Sequence, residues 1–274
     1  MIRLIASDMD GTYIAYDGTL SKENIETVKS LNEKGIVFAA ASGRNYPAVM
    51  SLFEPYGLKT EAICANGAQY IGENGKLVSA AYLSEEKRKE VTEVYKRHRV
   101  NYIYFAAEGM FSDEDPKQTA AKLEDRAVRR FGHAGMASTT TNIRLLADHP
   151  DVHIMKIEAY DMEPDVLDAV RKSMAEVEGI NALSAAVDNL EVTDLRAAKG
   201  TILKEVCERK GISPDEVVVL GDGLNDISLF EEFPHSCAIG NSAQPLKDRA
   251  ELIDEDDHIG FSRAIEEMLK RYNG

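Results

Sequence analysis

The sequence predicts a doubly wound α/β protein, in which a mostly parallel, Rossmann-like sheet is interrupted by an inserted α+β domain. Two observations lead to this prediction. Short apolar segments that suit buried strands alternate with segments of helical periodicity near both ends of the chain, in residues 2–65 and 199–274. Between these regions the alternation gives way to hairpin and helix patterns. We therefore expect a core formed by 1–83 and 190–274, with 84–189 inserted into it.

The first predicted strand, residues 2–6, ends in the polar segment Asp8-Met9-Asp10-Gly11-Thr12. Side chains two positions apart in an extended chain point to the same side, so Asp8 and Asp10 can face one pocket beyond the strand end. Two carboxylates this close repel each other unless a proton or a cation lies between them, and Mg²⁺ is a hard cation that prefers oxygen ligands. An ordinary Asp-Gly turn explains the same residues without chemistry. The segment by itself leaves both interpretations open.

The next predicted elements form a strand-helix-strand unit. A segment of helical periodicity follows the first strand, and residues 36–41 form a second buried strand that ends at Ser42-Gly43-Arg44. A further helix leads to a short strand, 62–65, which ends at Asn66. Parallel strands joined by right-handed crossovers bring their carboxyl ends to one edge of the sheet. The polar segments that follow these strands should therefore share one crevice.

The pattern changes from about residue 68 onward. A hairpin with Asn74-Gly75 as its turn comes first. The segment after it has the size of an ordinary domain, about one hundred residues. It is predicted to contain a charged helix at 84–99, an aromatic strand at 102–105, a helix at 116–131, a strand at 154–159, a helix at 164–177 and a strand at 180–187.

The strand and helix alternation returns at Lys199. A helix over 199–210 ends at Gly211, and the apolar strand 217–220 runs directly into Gly221-Asp222-Gly223-Leu224-Asn225-Asp226. This order of apolar strand, glycine and acids repeats that of the first strand. Further elements are predicted at 236–239, near 252 and at 260–272.

Composition limits the possible functions. The 274 residues are 44% hydrophobic and 29% charged, as is typical of a soluble globular protein. The formal net charge of -15 argues against broad nucleic-acid or anionic-membrane binding. The three cysteines have no C-x-x-C spacing, so no disulfide framework or thiolate zinc site is expected. Because the longest apolar run is too short to cross a bilayer and acids stand where a signal peptide needs apolar residues, we expect a cytoplasmic protein.

Several polar residues near the predicted strand ends suit the binding of a phosphate group. Ser42 and Gly43 can present a hydroxyl and N–H groups to a phosphate oxygen. Lys199 opens a helix, where a cation opposes the helix dipole, so its position is easier to understand if it faces an anion. Asp226 can be a metal ligand or a simple stabiliser of a helix start. Together with Asp8, these groups suit phosphoryl transfer through an aspartyl-phosphate.

On these segments the chain resembles the haloacid dehalogenase superfamily of phosphatases, and more closely its Cof-type subfamily with a type IIB cap. The resemblance spans the whole chain in the correct order, with an insertion where this subfamily has its cap. Each motif is short, but the four together are specific. The matching motifs are Asp8-Met9-Asp10-Gly11-Thr12, Ser42-Gly43-Arg44, Lys199-Gly200 and Gly221-Asp222-Gly223-Leu224-Asn225-Asp226.

The resemblance implies a role for each of these residues. Asp8 would attack the phosphorus, and Asp10 would protonate the leaving oxygen and then activate water. Mg²⁺ would be held by Asp8, the backbone carbonyl of Asp10 and Asp222, with Asp226 as a direct ligand or as close support. The phosphoryl group or the rest of the substrate would be bound by Met9 through its N–H group, Ser42, Gly43, Arg44, Asn66, Lys199 and Asn225.

We expect a Mg²⁺-dependent phosphatase of small-molecule phosphomonoesters, with sugar phosphates as the expected class and no nucleic-acid or membrane partner. Two alternatives stay open. A phosphomutase of the same fold would need a bound bisphosphate. A phospho-accepting signalling module also places acids and a lysine at the strand ends of a doubly wound sheet, although such domains are about half as long and have no insertion.

Overall fold

The computed structural model describes residues 1–131, 143–184 and 187–274. Contacts between residues divide the chain into two compact units. The core unit combines Met1–Ala81 with Arg196–Gly274, and the inserted unit is Tyr82–Leu195. The sequence predicts an insertion over 84–189, so the two sets of bounds differ by a few residues at each end.

The first segment of the core unit alternates strands and helices. Ser21 caps the first helix, because its hydroxyl accepts the N–H group of Asn24 at 3.1 Å. The hairpin at the end of this segment turns near Gly75, which has a φ of +73°. The elements are β1 (Leu4–Asp8), α1 (Lys22–Glu33), β2 (Val37–Ala41), α2 (Tyr46–Met50), β3 (Glu61–Cys64), β4 (Gln69–Ile71) and β5 (Leu77–Ala80).

The inserted unit has its own sheet and its own apolar core. Val91, Val94 and Tyr95 share one face of its first helix and are buried in that core. The elements are α3 (Glu85–His98), β6 (Asn101–Ala106), β7 (Gly109–Ser112), α4 (Pro116–Phe131), β8 (Ile143–Leu145), β9 (Ile154–Tyr160), α5 (Pro164–Met174), β10 (Ile180–Leu183) and β11 (Leu190–Asp194).

The sheet of the inserted unit has the strand order β10-β11-β9-β6-β7-β8, and its pairs are antiparallel except for β7 with β8. The prediction of one strand over 180–187 is wrong, because β10 ends at Leu183 and Val187 lies in a turn before β11. The sequence pattern missed β11 because it carries Glu191. The Glu191 side chain is buried and forms an ion pair with Lys156 of β9 at 2.7 Å. No local sequence pattern indicates this partner.

The second segment of the core unit restores the strand and helix alternation. Its first helix ends at Gly211, which has a φ of +62°, as the sequence predicts. No helix among the described residues is both long and apolar enough to cross a membrane. The elements are α6 (Lys199–Lys210), β12 (Val217–Gly221), α7 (Ile227–Glu232), β13 (His235–Ile239), α8 (Gln244–Lys247), β14 (Leu252–Asp254) and α9 (Gly260–Asn273).

The core sheet has the strand order β14-β13-β12-β1-β2-β3-β4-β5. The strands from β14 to β3 are parallel, and the β4–β5 hairpin continues the sheet antiparallel. Apolar layers cover both faces, since Ile5 of β1 packs in one cluster with α1 and α9 whereas Leu4 and Ala6 pack in another with α6 and α7. The predicted doubly wound, mostly parallel fold is confirmed.

Candidate active site

Three neighbouring strands of the core sheet end at the same place. Asp8 is the last residue of β1 and pairs in register with Ala41 of β2, so Ser42 comes one residue beyond it. On the other side of β1, the register pairs Ser7 with Leu220 of β12, and Asp222 follows two residues later. Asp8, Ser42 and Asp222 are all buried. The parallel register therefore gathers residues that lie more than 200 positions apart in the sequence.

A cluster of three carboxylates lies at this edge. Asp8, Asp222 and Asp226 are buried, and each offers an oxygen within 4.8 Å of the others. The Lys199 side chain is fully buried among them, with Nζ 2.5 Å from Asp8 Oδ1 and 2.6 Å from Asp226 Oδ1. The structure thus brings together four of the residues that the sequence singled out.

The position of Lys199 depends on the close packing of α6 against α7. A Cβ atom on Gly200 would lie 1.9 Å from the carbonyl oxygen of Ser228, so only glycine fits there. The Gly200 N–H group also donates to Ser228 Oγ at 3.0 Å. This contact holds the first turn of α6 at the end of the sheet, where the lysine side chain can reach both carboxylates.

Asp226 has a structural role as well as a place in the cluster. Its Oδ2 accepts the N–H groups of Asp222 at 3.1 Å and Gly223 at 3.0 Å, while Oδ1 accepts from Lys199. The carboxylate therefore closes the turn that carries Asp222. A Cβ atom on Gly221 would lie 2.6 Å from the Asp226 side chain, so the glycine before the motif makes room for this arrangement. These contacts give Asp226 a stabilising role in the turn, and its place in the cluster keeps the role of a metal ligand open.

Burial and mutual repulsion shift the ionisation of the cluster. Burial raises the pKa of Asp8 well above its ordinary value, and Lys199 opposes this shift without cancelling it. Burial, followed by the charge of Asp226, raises the pKa of Asp222 to about 6. Burial disfavours the charge on Lys199, but Asp226 and Asp8 outweigh that effect and raise its pKa, so the lysine stays an ammonium.

Besides burial, the cluster has an excess of negative charge, because three carboxylates lie around a single ammonium. A divalent cation would supply the missing positive charge, and buried carboxylate oxygens are the donors that hard cations prefer. The residues present therefore fit a divalent metal ion, which Asp8, Asp222 and Asp226 could hold.

Asp222 has two hydroxyl donors to which the sequence analysis assigned no role. Thr12 Oγ1 donates to Asp222 Oδ1 at 2.8 Å, and Tyr16 Oη donates to Oδ2 at 2.5 Å. Thr12 is part of the first motif, so its position was a usable indication. Tyr16 lies in the loop beyond the motif, where no spacing or periodicity points to it.

Asp10 and Arg44 contact each other at the exposed side of the site. Arg44 Nε lies 2.9 Å from Asp10 Oδ2, and Arg44 Nη2 binds the other carboxylate oxygen. The Asp10 side chain is therefore outside the buried triad, and the metal role implied for this residue concerns its backbone carbonyl. The guanidinium that the resemblance assigns to the substrate is bound here by a carboxylate of the protein.

The remaining predicted residues lie around Asn66, which follows β3, although Asn225 itself belongs to the turn after β12. Asn66 has a left-handed φ of +57°, and its N–H group donates to the Ser42 carbonyl at 3.0 Å. Asn225 Nδ2 donates to Asn66 Oδ1 at 3.2 Å. A Cβ atom added to Gly43 would lie 3.1 Å from the same Asn66 oxygen. The Ser42 hydroxyl accepts the Arg44 N–H group at 3.2 Å. These groups form one connected polar cluster.

Two residues of the first motif region belong to the core. The Met9 side chain is fully buried in the apolar layer, and its carbonyl accepts the Ile14 N–H group at 2.8 Å. Tyr13 is also fully buried and stacks on Phe53, with ring centroids 5.2 Å apart. For Met9, only a backbone contact to a ligand is compatible with this position.

The fold and the buried acidic cluster define an α/β protein with a candidate metal site, and comparison with known proteins gives its class. A model of the haloacid dehalogenase-like hydrolase family matches residues 5–265. The chain therefore belongs to the haloacid dehalogenase-like hydrolases, and the prediction of a phosphatase of this superfamily is confirmed.

Individual relatives match over nearly their whole length. Phosphatase YwpJ of Bacillus subtilis is 24% identical, with 98% of this chain and 100% of the relative covered. Pyridoxal phosphate phosphatase YbhA of Escherichia coli is 25% identical, with 92% of each chain covered. A solved haloacid dehalogenase-like hydrolase from B. subtilis has a TM-score of 0.81 at 23% identity, covering 98% of this chain and 99% of that one.

Proposed function

We propose that this protein hydrolyses phosphomonoesters of small molecules through an aspartyl-phosphate formed on Asp8, with Mg²⁺ as its metal ion. The observation that carries the proposal is the position of the Lys199 ammonium. It is fully buried and bridges Asp8 and Asp226 beside Asp222. A buried cation beside a buried carboxylate can attract a phosphoryl group towards a nucleophile that is itself negatively charged.

In the first step, a carboxylate oxygen of Asp8 attacks the phosphorus and the bond from phosphorus to the leaving oxygen breaks. Asp10, in its acid form, gives its proton to that oxygen, and the alcohol leaves. Lys199 stabilises the negative charge on the transferred group. Asp10 lies at the exposed side of the site, where Arg44 binds its carboxylate. This exposed acid becomes accessible to the leaving group when the Arg44 guanidinium releases it to the substrate.

In the second step, water attacks the phosphorus of the aspartyl-phosphate while the Asp10 carboxylate takes its proton. The bond from phosphorus to Asp8 breaks, inorganic phosphate is released and both carboxyl groups return to their starting states. Ser42, Gly43 and Asn225 would donate hydrogen bonds to the phosphoryl oxygens. The connected polar cluster around Asn66 supports this role, because it fixes these groups at the same strand ends.

The metal ion would be held by Asp8, Asp222 and the backbone carbonyl of Asp10, with Asp226 as a further ligand or close support. When bound, Mg²⁺ supplies positive charge that shields the phosphoryl group from the carboxylates. The protein contributes the buried oxygens and their orientation, which the turn closed by Asp226 maintains.

For the substrate, we propose sugar phosphates and related small phosphate esters. The relatives include phosphatases of B. subtilis and E. coli that are named for 5-amino-6-(5-phospho-D-ribitylamino)uracil and for pyridoxal phosphate. A substrate screen should therefore contain both sugar phosphates and phosphate esters of heteroaromatic compounds.

The test combines phosphate release with detection of the covalent intermediate. Wild-type protein is expected to release phosphate from at least one ester in Mg²⁺ and from none in EDTA. Asp8→Asn should lose turnover by about 10³-fold or more, because an amide is a poor nucleophile. Asp17→Asn is the matched control, since Asp17 is an exposed aspartate of the following loop.

Asp10→Asn mixed with substrate and quenched in acid should carry one phosphoryl group on the Asp8 peptide, as seen by mass spectrometry. Full turnover by Asp8→Asn would refute the covalent route. Conversion of one phosphate ester into an isomeric ester would identify a phosphomutase. Long-lived phosphorylation of the wild type without turnover would identify a signalling module.

A further inference from the structure

The loop after β1 carries an aromatic residue, Tyr16, whose side chain contacts the carboxylate cluster. Tyr16 Oη donates to Asp222 Oδ2 at 2.5 Å, and Thr12 Oγ1 donates to the other oxygen of the same carboxylate at 2.8 Å. Asp8 and Asp226 bind the Lys199 ammonium, whereas Asp222 accepts hydrogen bonds from these two neutral hydroxyls. Within the triad, Asp222 is thus the carboxylate whose orientation depends on hydroxyl groups.

The backbone holds Tyr16 in this position. The Tyr16 N–H group donates to Asp257 Oδ2 at 3.2 Å, and the neighbouring Ala15 N–H group donates to the Thr19 carbonyl at 3.0 Å. The Tyr16 ring packs closely against Gly11. A Cβ atom added to Gly11 would lie 2.7 Å from both Tyr16 Cζ and Asp222 Oδ2. Gly11, at a φ of +91°, therefore leaves space for the tyrosine as well as for the carboxylate.

Core packing does not account for this tyrosine. The residue is 58% exposed, although its hydroxyl reaches a carboxylate that is only 7% exposed. Burial of the hydroxyl and the contact with Asp222 raise the Tyr16 pKa, so the group remains a hydrogen-bond donor at neutral pH. An exposed ring that directs its polar end into a buried acidic cluster indicates a function for the hydroxyl.

We propose that Tyr16 is a positioning residue for the divalent cation, whose hydroxyl fixes the Asp222 carboxylate in the orientation that presents an oxygen to the ion. This inference rests on the proposed metal-dependent function. Each carboxylate oxygen has two lone pairs, so the Tyr16 hydroxyl and a metal ion can bind Asp222 at the same time. Hydrogen-bond partners of metal ligands set ligand orientation and tune metal affinity.

The test measures Mg²⁺ binding by calorimetry in the absence of substrate. Tyr16→Phe keeps the ring and removes only the hydroxyl, and it should raise the Kd for Mg²⁺ by about 10-fold or more. Tyr56→Phe is the matched control, because Tyr56 is 50% exposed, lies between α2 and β3 of the core unit and should keep the wild-type Kd. Thr12→Ser, which keeps the hydroxyl on Asp222 Oδ1, should also bind nearly as the wild type does.

Activity adds a second readout. For Tyr16→Phe, the Mg²⁺ concentration that gives half-maximal turnover should rise by the same factor, while turnover at saturating Mg²⁺ should approach that of the wild type. An equal Kd for Tyr16→Phe and wild type would overturn the role of Tyr16 alone. So would a turnover defect that excess Mg²⁺ does not correct. A wild-type protein that binds no Mg²⁺ would overturn the proposed function and this inference together.

Discussion

The two units of this protein each bury a lysine between two carboxylates, and the two sites differ in what surrounds them. Lys199 of the core unit binds Asp8 and Asp226 at 2.5 and 2.6 Å. Lys156 of the inserted unit binds Glu191 and Glu158 at 2.7 and 3.5 Å. Lys199 is 0% exposed and Lys156 is 5% exposed, so burial does not distinguish them.

The difference lies in the number of cations that contact the lysine's carboxylate partners and in location. Lys156 and its partners lie within the paired strands β9 and β11, and Arg126 supplies another cation to Glu158 at 3.4 Å. The Lys199 site lies at the strand ends and has a third carboxylate, Asp222. Within the sheet the two glutamates have two cationic partners, Lys156 and Arg126, although Arg126 also binds two aspartates, Asp161 and Asp188. At the ends of the parallel strands three carboxylates share one lysine, so this site can accept a cation and a phosphate group.

Replacing each lysine by methionine should separate the two kinds of site. Lys199→Met should reduce turnover by about 10²–10³-fold, because the stabilising charge at the phosphoryl group is lost. Lys156→Met should instead lower the stability of the inserted unit by about 3–5 kcal/mol, since two facing glutamates lose their shared partner. Phosphate release at saturating substrate and urea unfolding check these outcomes. If Lys199→Met and Lys156→Met lose the same turnover per folded molecule, the proposed difference between the two lysine sites is wrong.

The metal-free sites should also respond to pH with opposite sign. The Asp222 pKa is raised from 3.8 to about 6, so its stabilising contribution is present below pH 3.8 and is lost as the pH rises through about 6. The full change is about 3 kcal/mol. Burial works against the ionisation of Glu158, but Lys156, Asn189 and Arg126 outweigh it and lower the Glu158 pKa. Its contribution is therefore present above 4.5 and is lost as the pH falls.

Urea unfolding in EDTA between about pH 3 and pH 7 tests this contrast. Asp222→Asn should flatten the loss of stability towards neutral pH, and Glu158→Gln should flatten the loss towards acid pH. The predicted contrast is wrong if Asp222→Asn and Glu158→Gln change the stability in the same pH range.

Two buried tyrosines give the smallest expected effect. The Tyr13 hydroxyl has no hydrogen-bond partner among the described residues, whereas the Tyr104 hydroxyl lies 2.9 Å from Thr92 Oγ1 in the inserted unit. Tyr104→Phe should cost about 1 kcal/mol, because it leaves the Thr92 hydroxyl with one partner fewer. Tyr13→Phe should be neutral or stabilising by up to about 1 kcal/mol. Thermal unfolding of both variants measures the difference, and a clear loss of stability in Tyr13→Phe would contradict the unpaired hydroxyl.

Local sequence patterns predict the secondary structure correctly where it depends on neighbouring residues. The helix over Lys199–Lys210 has its predicted bounds, and the Asn74-Gly75 turn is found where the sequence places it. Strand β11 was missed because its polar residues are buried by partners distant in sequence. The contact of Arg44 with Asp10 was also unexpected, since a substrate role gives no indication of a partner within the protein.

The sequence by itself determined most of the order of strands and helices, and it determined the chemical groups that end the core strands, because hydrophobic periodicity and turn residues act over short distances. Only the tertiary structure decided that Asp8, Asp222 and Asp226 share one buried cluster with Lys199, and that Tyr16 reaches it. Those contacts depend on the parallel register of β1 with β2 and β12 and on the packing that Gly11 and Gly200 allow. No local pattern encodes distances between such remote segments.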